Sequence, residues 1–194
     1  MAQQENNDSR KVILASTSPR RRKLFSLITD SFVCMSPDVD ESTVSGLGAE
    51  DRCRTLAEMK CRHIHEQYPD DIVVACDTVV DLDSKILEKP VSFEDAYNMI
   101  KSISGRSHRV HTGVCIMKGD LEESYVSTSS VEFYEIPDDD ITAYCMTDEP
   151  YDKAGAYGIH AWAARYIKSI DGDYYSIMGL PVSSIYQCLA RKFY

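Results

Sequence analysis

Four clusters of side chains in this sequence have the types and spacing that chemistry on a small anion needs. The first is Ser16-Thr17-Ser18-Pro19-Arg20-Arg21-Arg22-Lys23, directly after the apolar run Val12-Ile13-Leu14-Ala15. The run reads as a buried strand, and Pro19 sits where a helix takes its first residue. Ser18 is then the natural N-cap, because its hydroxyl can accept from an orphan backbone N–H while Pro19 needs no partner. A strand feeding a capped helix leaves N–H groups and a positive dipole end beside cationic side chains, an anion site suited to phosphate. On charge alone the same residues also read as a solvated basic face.

Asp77 follows five apolar residues, Ile72 to Cys76. A carboxylate there is costly to bury unless it is paired or binds a metal, so it reads as a metal ligand or a general base, or else as an aspartate bonding a turn. Glu88-Lys89-Pro90 is the third cluster, in which Pro90 holds Lys89 extended and able to project at a phosphate. Lys60, on a predicted helix, borders an apolar stripe and either points inward at a ligand or snorkels. The fourth is Lys153-Ala154-Gly155-Ala156-Tyr157-Gly158-Ile159, whose glycines allow backbone N–H groups close to a ligand, or simply a tight turn.

Other chemistries lack their signatures. The chain of 194 residues carries 21 basic and 31 acidic side chains, net -10, which argues against general nucleic-acid binding. Six of the basic residues fall between Arg10 and Lys23, a local positive charge that suits a small polyanion better than a long one. The seven cysteines (34, 53, 61, 76, 115, 145 and 188) form no C-x-x-C pair, and several lie in apolar runs, as small hydrophobes do. They point to a reducing, intracellular setting. His63 and His65 point apart on a helix, and His108 and His111 fall on opposite strand faces, so zinc is not indicated. Walker, Rossmann and Gly-x-Ser-x-Gly patterns are absent. No run is apolar enough to span a bilayer.

The elements that must position these residues alternate between strand and helix. Residues 1–9 predict a disordered tail and 10–194 a single domain. The pattern predicts a strand over Ser31–Met35, a long loop over Ser36–Gly48, and a helix over Ala49–Gln67. Ile72–Cys76 reads as a central strand, interrupted by Asp77 and Thr78, resumed at Val79-Val80, and returning through Ile86-Leu87. Ser92 caps a helix that Gly105 closes. Arg109–Met117 and Tyr125–Tyr134 pair around Lys118-Gly119-Asp120. A short helix follows Pro137, then a hairpin of Arg165–Ile170 with Tyr174–Met178 across Asp171-Gly172-Asp173, and a helix from Pro181. A mixed-sheet α/β domain accommodates both the alternation and the hairpins.

The ordered set Leu14-Ala15-Ser16-Thr17-Ser18-Pro19-Arg20-Arg21, Asp38-Val39-Asp40-Glu41, Asp77-Thr78-Val79-Val80, Glu88-Lys89-Pro90 and Asp152-Lys153-Ala154-Gly155-Ala156-Tyr157-Gly158-Ile159 resembles the Maf family of nucleoside triphosphate pyrophosphatases, from Val12 to the C-terminus. The resemblance implies an elongated mixed α/β sheet in two lobes, related to inosine triphosphatases, with substrate between them. It implies hydrolysis between the α and β phosphates, a divalent cation (magnesium, manganese or cobalt), a homodimer, and a cytoplasmic role in cleaning the nucleotide pool. It assigns Asp77 as catalytic base, with Glu41, Lys60 and Lys89 as the other charged residues of the site. Glu41 and Asp77 become the metal ligands, and Ser16 and Arg21 part of the phosphate-binding loop. Arg20, Thr78 and Glu88 resemble the branch acting on dTTP and UTP rather than the one acting on 7-methyl-GTP. The branch carries glutamine where this chain has His160. A pyrophosphatase of modified nucleotides and a non-catalytic nucleotide-binding regulator of cell division are the alternatives, and the retained charged set speaks against the second.

Overall fold

The computed structural model describes residues 11–194, so the tail expected over residues 1–9 and the first residue of the expected domain lie outside the described residues. Seven strands form one sheet: β1 (Val12–Ala15), β2 (Val33–Met35), β3 (Ile72–Leu82), β4 (Lys85–Leu87), β5 (Ser107–Lys118), β6 (Leu121–Phe133) and β7 (Ile167–Asp171). Their order is β2-β1-β3-β5-β6-β7, with β4 paired to β3. β1 runs parallel to β2 and β3, whereas β3, β5, β6 and β7 pair antiparallel in turn. This is the mixed sheet the sequence predicts. The helices are α1 (Pro19–Phe25), α2 (Ala49–His65), α3 (Phe93–Ile103), α4 (Asp138–Cys145), α5 (Tyr174–Ile177) and α6 (Val182–Lys192). Among the described residues no helix is long and apolar enough to cross a membrane.

Local chemistry sets the element ends. Ser18 caps α1 as expected, accepting from the Arg21 N–H, and Pro19 opens the helix. Ser92 Oγ accepts from Asp95 N–H at 3.1 Å, and the Asp95 carboxylate accepts from Val91 N–H at 3.0 Å, one residue outside a strict capping box. Asp83 and Ser84 both take positive φ, 52° and 67°, so a tight two-residue turn joins β3 to β4. α2 buries Cys53, Leu56, Ala57, Cys61 and Ile64, a stripe that lies on the sheet, and places Glu50 and Asp51 at its positive end.

Two sequence expectations are corrected. Asp77 and Thr78 do not interrupt β3. They stay in the ladder opposite Gly113 and Thr112, because the backbone bonds of a strand are indifferent to side-chain polarity once the side chain finds a partner. Tyr174–Met178 is not the second arm of a hairpin. Asp173 accepts from the N–H groups of Tyr175 and Ser176 and starts the short helix α5, so β7 pairs with β6 alone. Elsewhere the differences are of length: β2 begins at Val33, α2 ends at His65, and the loop over Ser36–Gly48 contains a 3-10 turn, Glu41–Val44.

The long strands β3, β5 and β6 run through two lobes. In one, α1 and α6 cover Leu14, Val74 and Ile116 with Phe25, Ile185 and Leu189, while α2 covers Ile13, Val73, Ala75 and Cys115 on the opposite face. In the other, α3 and α4 pack Ile100, Ile103 and Ile141 on Val80, Val110, Val131 and Phe133. The seven cysteines are free thiols, and burial is the main cause that pushes Cys53 and Cys76 up to about 12. The five buried ones, Cys53, Cys61, Cys76, Cys115 and Cys145, serve as small apolar groups.

Parity holds for the strand histidines. His108 enters the α3 lobe, its Nε2 2.6 Å from the Tyr157 hydroxyl, whereas His111 faces Thr128. Nδ1 of His108 is buried without a partner, and burial lowers this imidazole to about 4. The folded protein therefore holds His108 neutral while an unfolded chain takes up a proton near 6.5, so stability is full above that pH and is lost as the pH falls toward 4. Between pH 7 and 4.5 this one group removes about 2.5 kcal/mol. Chemical denaturation of wild type and His108→Asn at both pH values checks it: the wild type's advantage shrinks by about that amount as acid is added, and a constant difference would refute the assignment.

Candidate active site

A cavity of about 580 Å³ opens between the lobes. Nine of the residues singled out in the sequence line it: Ser16 from the β1–α1 turn, Arg20 and Arg21 from the first turn of α1, Glu41, Lys60, Asp77 and Thr78, Lys89 and His160.

The floor is an ionic triad. Lys60 Nζ lies 2.6 Å from Asp77 Oδ1 and 2.8 Å from Glu41 Oε1. The Lys60 and Asp77 side chains are only 11% and 12% exposed, so this pair compensates charge where water cannot. Lys60 therefore points inward rather than snorkelling, and the Asp77 carboxylate bonds Lys60 rather than a turn. Partial burial works to raise the Glu41 carboxyl, but the hydrogen bond and charge of Lys60, with Lys89 and Arg52, outweigh it and hold it below the usual range. Glu41 is presented by the 3-10 turn, whose cap is Asp40 accepting from Ser42 N–H at 3.0 Å. Of the acidic trio in this loop, only Glu41 faces the cavity.

Cations stand around this floor. Arg21 Nε donates to Gly179 O at 2.9 Å and its Nη2 to Thr78 Oγ1 at 3.2 Å, which fixes one edge of the guanidinium. Arg20 Nη1 donates to Asp152 Oδ2 at 2.7 Å, and Lys153 holds the other carboxylate oxygen at 2.6 Å. Lys89 makes no ion pair among the described residues, while its neighbour Glu88 binds Arg52 at 2.6 Å. Ser16 Oγ accepts from Ser18 N–H at 3.2 Å and so shapes the turn before α1. His160 is lowered by burial and then by Arg20 and Lys153, so the ring is neutral at pH 7.

Of the two readings of the glycine-rich segment, Gly155 follows the tight turn. The Gly155 N–H is already used, donating to Glu88 O at 3.0 Å, and this bond braces the strand end that carries Lys89. Gly155 itself is needed because φ is +68° and a Cβ would come within 3.1 Å of Val80. Lys153, Ala154, Tyr157, Gly158 and Ile159 of the segment line the cavity, and His160 follows directly.

The site's donors suit a hard divalent cation. Two carboxylates converge on one ammonium, so their oxygens lie close to a common point. No group of three or more His, Cys, Asp or Glu side chains able to hold a metal occurs among the described residues. Such a pair fits magnesium or manganese, which take one or two carboxylates and complete their shell with water and substrate phosphate.

Three positioning residues were not singled out from the sequence. Arg52 lies on the same helical stripe as Leu56 and Lys60, a spacing that could have marked it. Asp152 sits in a quoted motif, but its pairing with Arg20 spans 132 positions. Gly113 is the third, and a glycine inside an apolar strand is a signal of close backbone approach. It pairs with Asp77 in the ladder, and a Cβ there would lie 2.2 Å from Cys53 O of α2. The helix can therefore bring Lys60 onto Asp77 only because residue 113 has no side chain. Gly113→Ala is expected to destabilise the fold by about 2 kcal/mol or more and to cut activity far beyond the fraction unfolded. Melting temperature and turnover measured together check it, and normal values for both would remove Gly113 from this role.

Comparison with known proteins places the chain. A family model described as "Maf-like protein" matches residues 11–192. The "dTTP/UTP pyrophosphatase" of Bacillus velezensis is 40% identical over 181 residues, covering 93% of this chain and 96% of that protein. The protein of the same name from Exiguobacterium sibiricum is 42% identical, covering 90% and 88%, and that from Bacteroides thetaiotaomicron 41%, covering 93% and 95%. Among solved structures, a HAM1 protein from Coxiella burnetii aligns with a TM-score of 0.49 at 17% identity over 66% of this chain and 75% of its own. The family match over nearly the whole described chain, with relatives near 40% identity, shows that this chain belongs to the Maf family.

Proposed function

We propose that this chain is a metal-assisted pyrophosphatase that hydrolyses dTTP and UTP to the nucleoside monophosphate and pyrophosphate. The observation that carries this reading is the meeting, in one cavity, of the Lys60–Asp77–Glu41 triad with the Arg21 guanidinium from the start of α1. A triphosphate needs several cations to be held, and its hydrolysis needs a carboxylate among them to take a proton from water. The names of the 40%-identical relatives supply the substrate class.

In this reading Arg21, Arg20 and Lys89 grip the phosphate chain. Asp77 accepts a proton from the water that attacks the α phosphorus. The bond to the α–β bridging oxygen breaks, and pyrophosphate leaves with the electron pair. Lys60 holds the Asp77 carboxylate in place at 2.6 Å, and its ammonium is within reach of phosphate oxygens. A magnesium or manganese ion held by Glu41 and Asp77 would draw charge from the phosphates when bound with substrate. His160, neutral, offers one donor and one acceptor toward a pyrimidine imide, which presents two carbonyls around one N–H.

Pyrophosphate release across the canonical and 7-methylated nucleoside triphosphates, with magnesium, manganese or cobalt, tests the proposal. Expected are fastest turnover of dTTP and UTP, and loss of activity on chelation that added metal restores. Asp77→Asn is expected to lower kcat by about 100-fold or more while retaining a non-hydrolysable dTTP analogue. A fully active Asp77→Asn protein would exclude Asp77 as the base, and 7-methyl-GTP as best substrate would overturn the base preference.

A further inference from the structure

Thr112 lies wholly inside the protein and does not line the cavity, yet its hydroxyl belongs to a closed hydrogen-bond ring that ends on Arg21. Thr112 Oγ1 donates to Ser176 O at 2.8 Å. Its proton is thereby committed, so the 2.9 Å contact between the hydroxyls of Thr112 and Thr78 must run from Thr78 to Thr112. Thr78, having donated, meets Arg21 Nη2 as an acceptor at 3.2 Å. On the other side Arg21 Nε donates to Gly179 O at 2.9 Å, and Gly179 N–H donates back to Ser176 O at 2.8 Å. Five bonds thus join α1, β3, β5, α5 and the Gly179 turn that follows it. Gly179 fits this ring with φ of +104°, and a Cβ there would come within 3.3 Å of Thr78 Oγ1.

We infer that Thr112 is a positioning residue for phosphate binding, acting through Thr78 to aim the Arg21 guanidinium. The ring occupies Nε and one hydrogen of Nη2. Nη1 and the second Nη2 hydrogen have no partner among the described residues, and they form the outer edge of the fork, the one that grips a phosphate with two bonds. Thr112 sets which edge that is. Without its acceptor oxygen Thr78 can turn its proton toward Arg21, and a donor would then face a donor. The same geometry assigns the Thr78 hydroxyl to orienting Arg21, with its proton and one lone pair already engaged.

This inference rests on the pyrophosphatase reading for its substrate, and a double-mutant cycle tests it apart from that reading. Thr112→Val keeps the shape and removes the hydroxyl, whereas Thr112→Ser keeps the hydroxyl. Expected is a loss in kcat/KM for dTTP of about tenfold in Thr112→Val and under about twofold in Thr112→Ser. In an Arg21→Lys background, where the fork is absent, Thr112→Val should cost under about twofold. An equal loss in both backgrounds would mean a merely structural Thr112 and would overturn the inference, as would full activity of Thr112→Val. If Thr112→Val does not fold, Thr78→Val makes the same cut one bond closer and is judged by the same cycle. If wild type releases no pyrophosphate, the proposed function falls, and the cycle is read on calorimetric affinity for inorganic tripolyphosphate, where coupling supports the inference and additivity overturns it.

Discussion

A carboxylate on the central strand of a sheet can be kept inside a protein only if something of opposite charge is brought to it, and here that constraint organises the molecule. Asp77 lies under α2, and Lys60 reaches it at 2.6 Å while holding Glu41 on its other side. Removing one partner of such a buried pair costs about 3–5 kcal/mol, so the geometry of helix, strand and 3-10 turn is tied to a single ammonium. Everything that lets α2 approach is part of this interaction: the apolar stripe from Cys53 to Ile64, and Gly113, whose missing side chain leaves room for the Cys53 carbonyl.

The second half of the site comes from the opposite face. The odd-numbered positions of β3 carry Asp77 toward α2, and the even-numbered Thr78 carries the contact to Arg21. Adjacent residues on one strand thus meet Lys60 on one face and Arg21 on the other. Arg20 and Asp152 link α1 to the segment bearing His160, so the start of α1 touches both lobes. Cations outnumber the carboxylates facing the cavity although the chain as a whole is acidic, which favours an anion at this place alone.

Much of this was legible in the sequence, for identifiable reasons. Val12–Ala15 and Ile72–Cys76 are apolar runs, and a buried strand is what such runs make when a cap or polar residue follows. Ser18-Pro19 announces a helix start because both residues act within one turn. The continuation of β3 through Asp77 and Thr78 was hidden, since a polar pair looks like a break while the ladder bonds persist. Tyr174–Ile177 has strand-like residue types, but the Asp173 cap decides for helix. The charged residues of the site were recognisable by motif, whereas their partners were not: Arg21 and Gly179 are 158 positions apart, and no local pattern reports which carbonyl an arginine will find.

The account stands on the claim that the phosphate chain of one nucleotide lies between Arg21 and the Asp77–Lys60 pair. A crystal structure with manganese and a non-hydrolysable dTTP analogue tests that claim most directly. Expected is density for the phosphates within hydrogen-bond distance of the outer edge of Arg21, with the cation on Glu41 and Asp77. A nucleotide bound with its phosphates elsewhere, and Lys60 still locked between its two carboxylates, would contradict it.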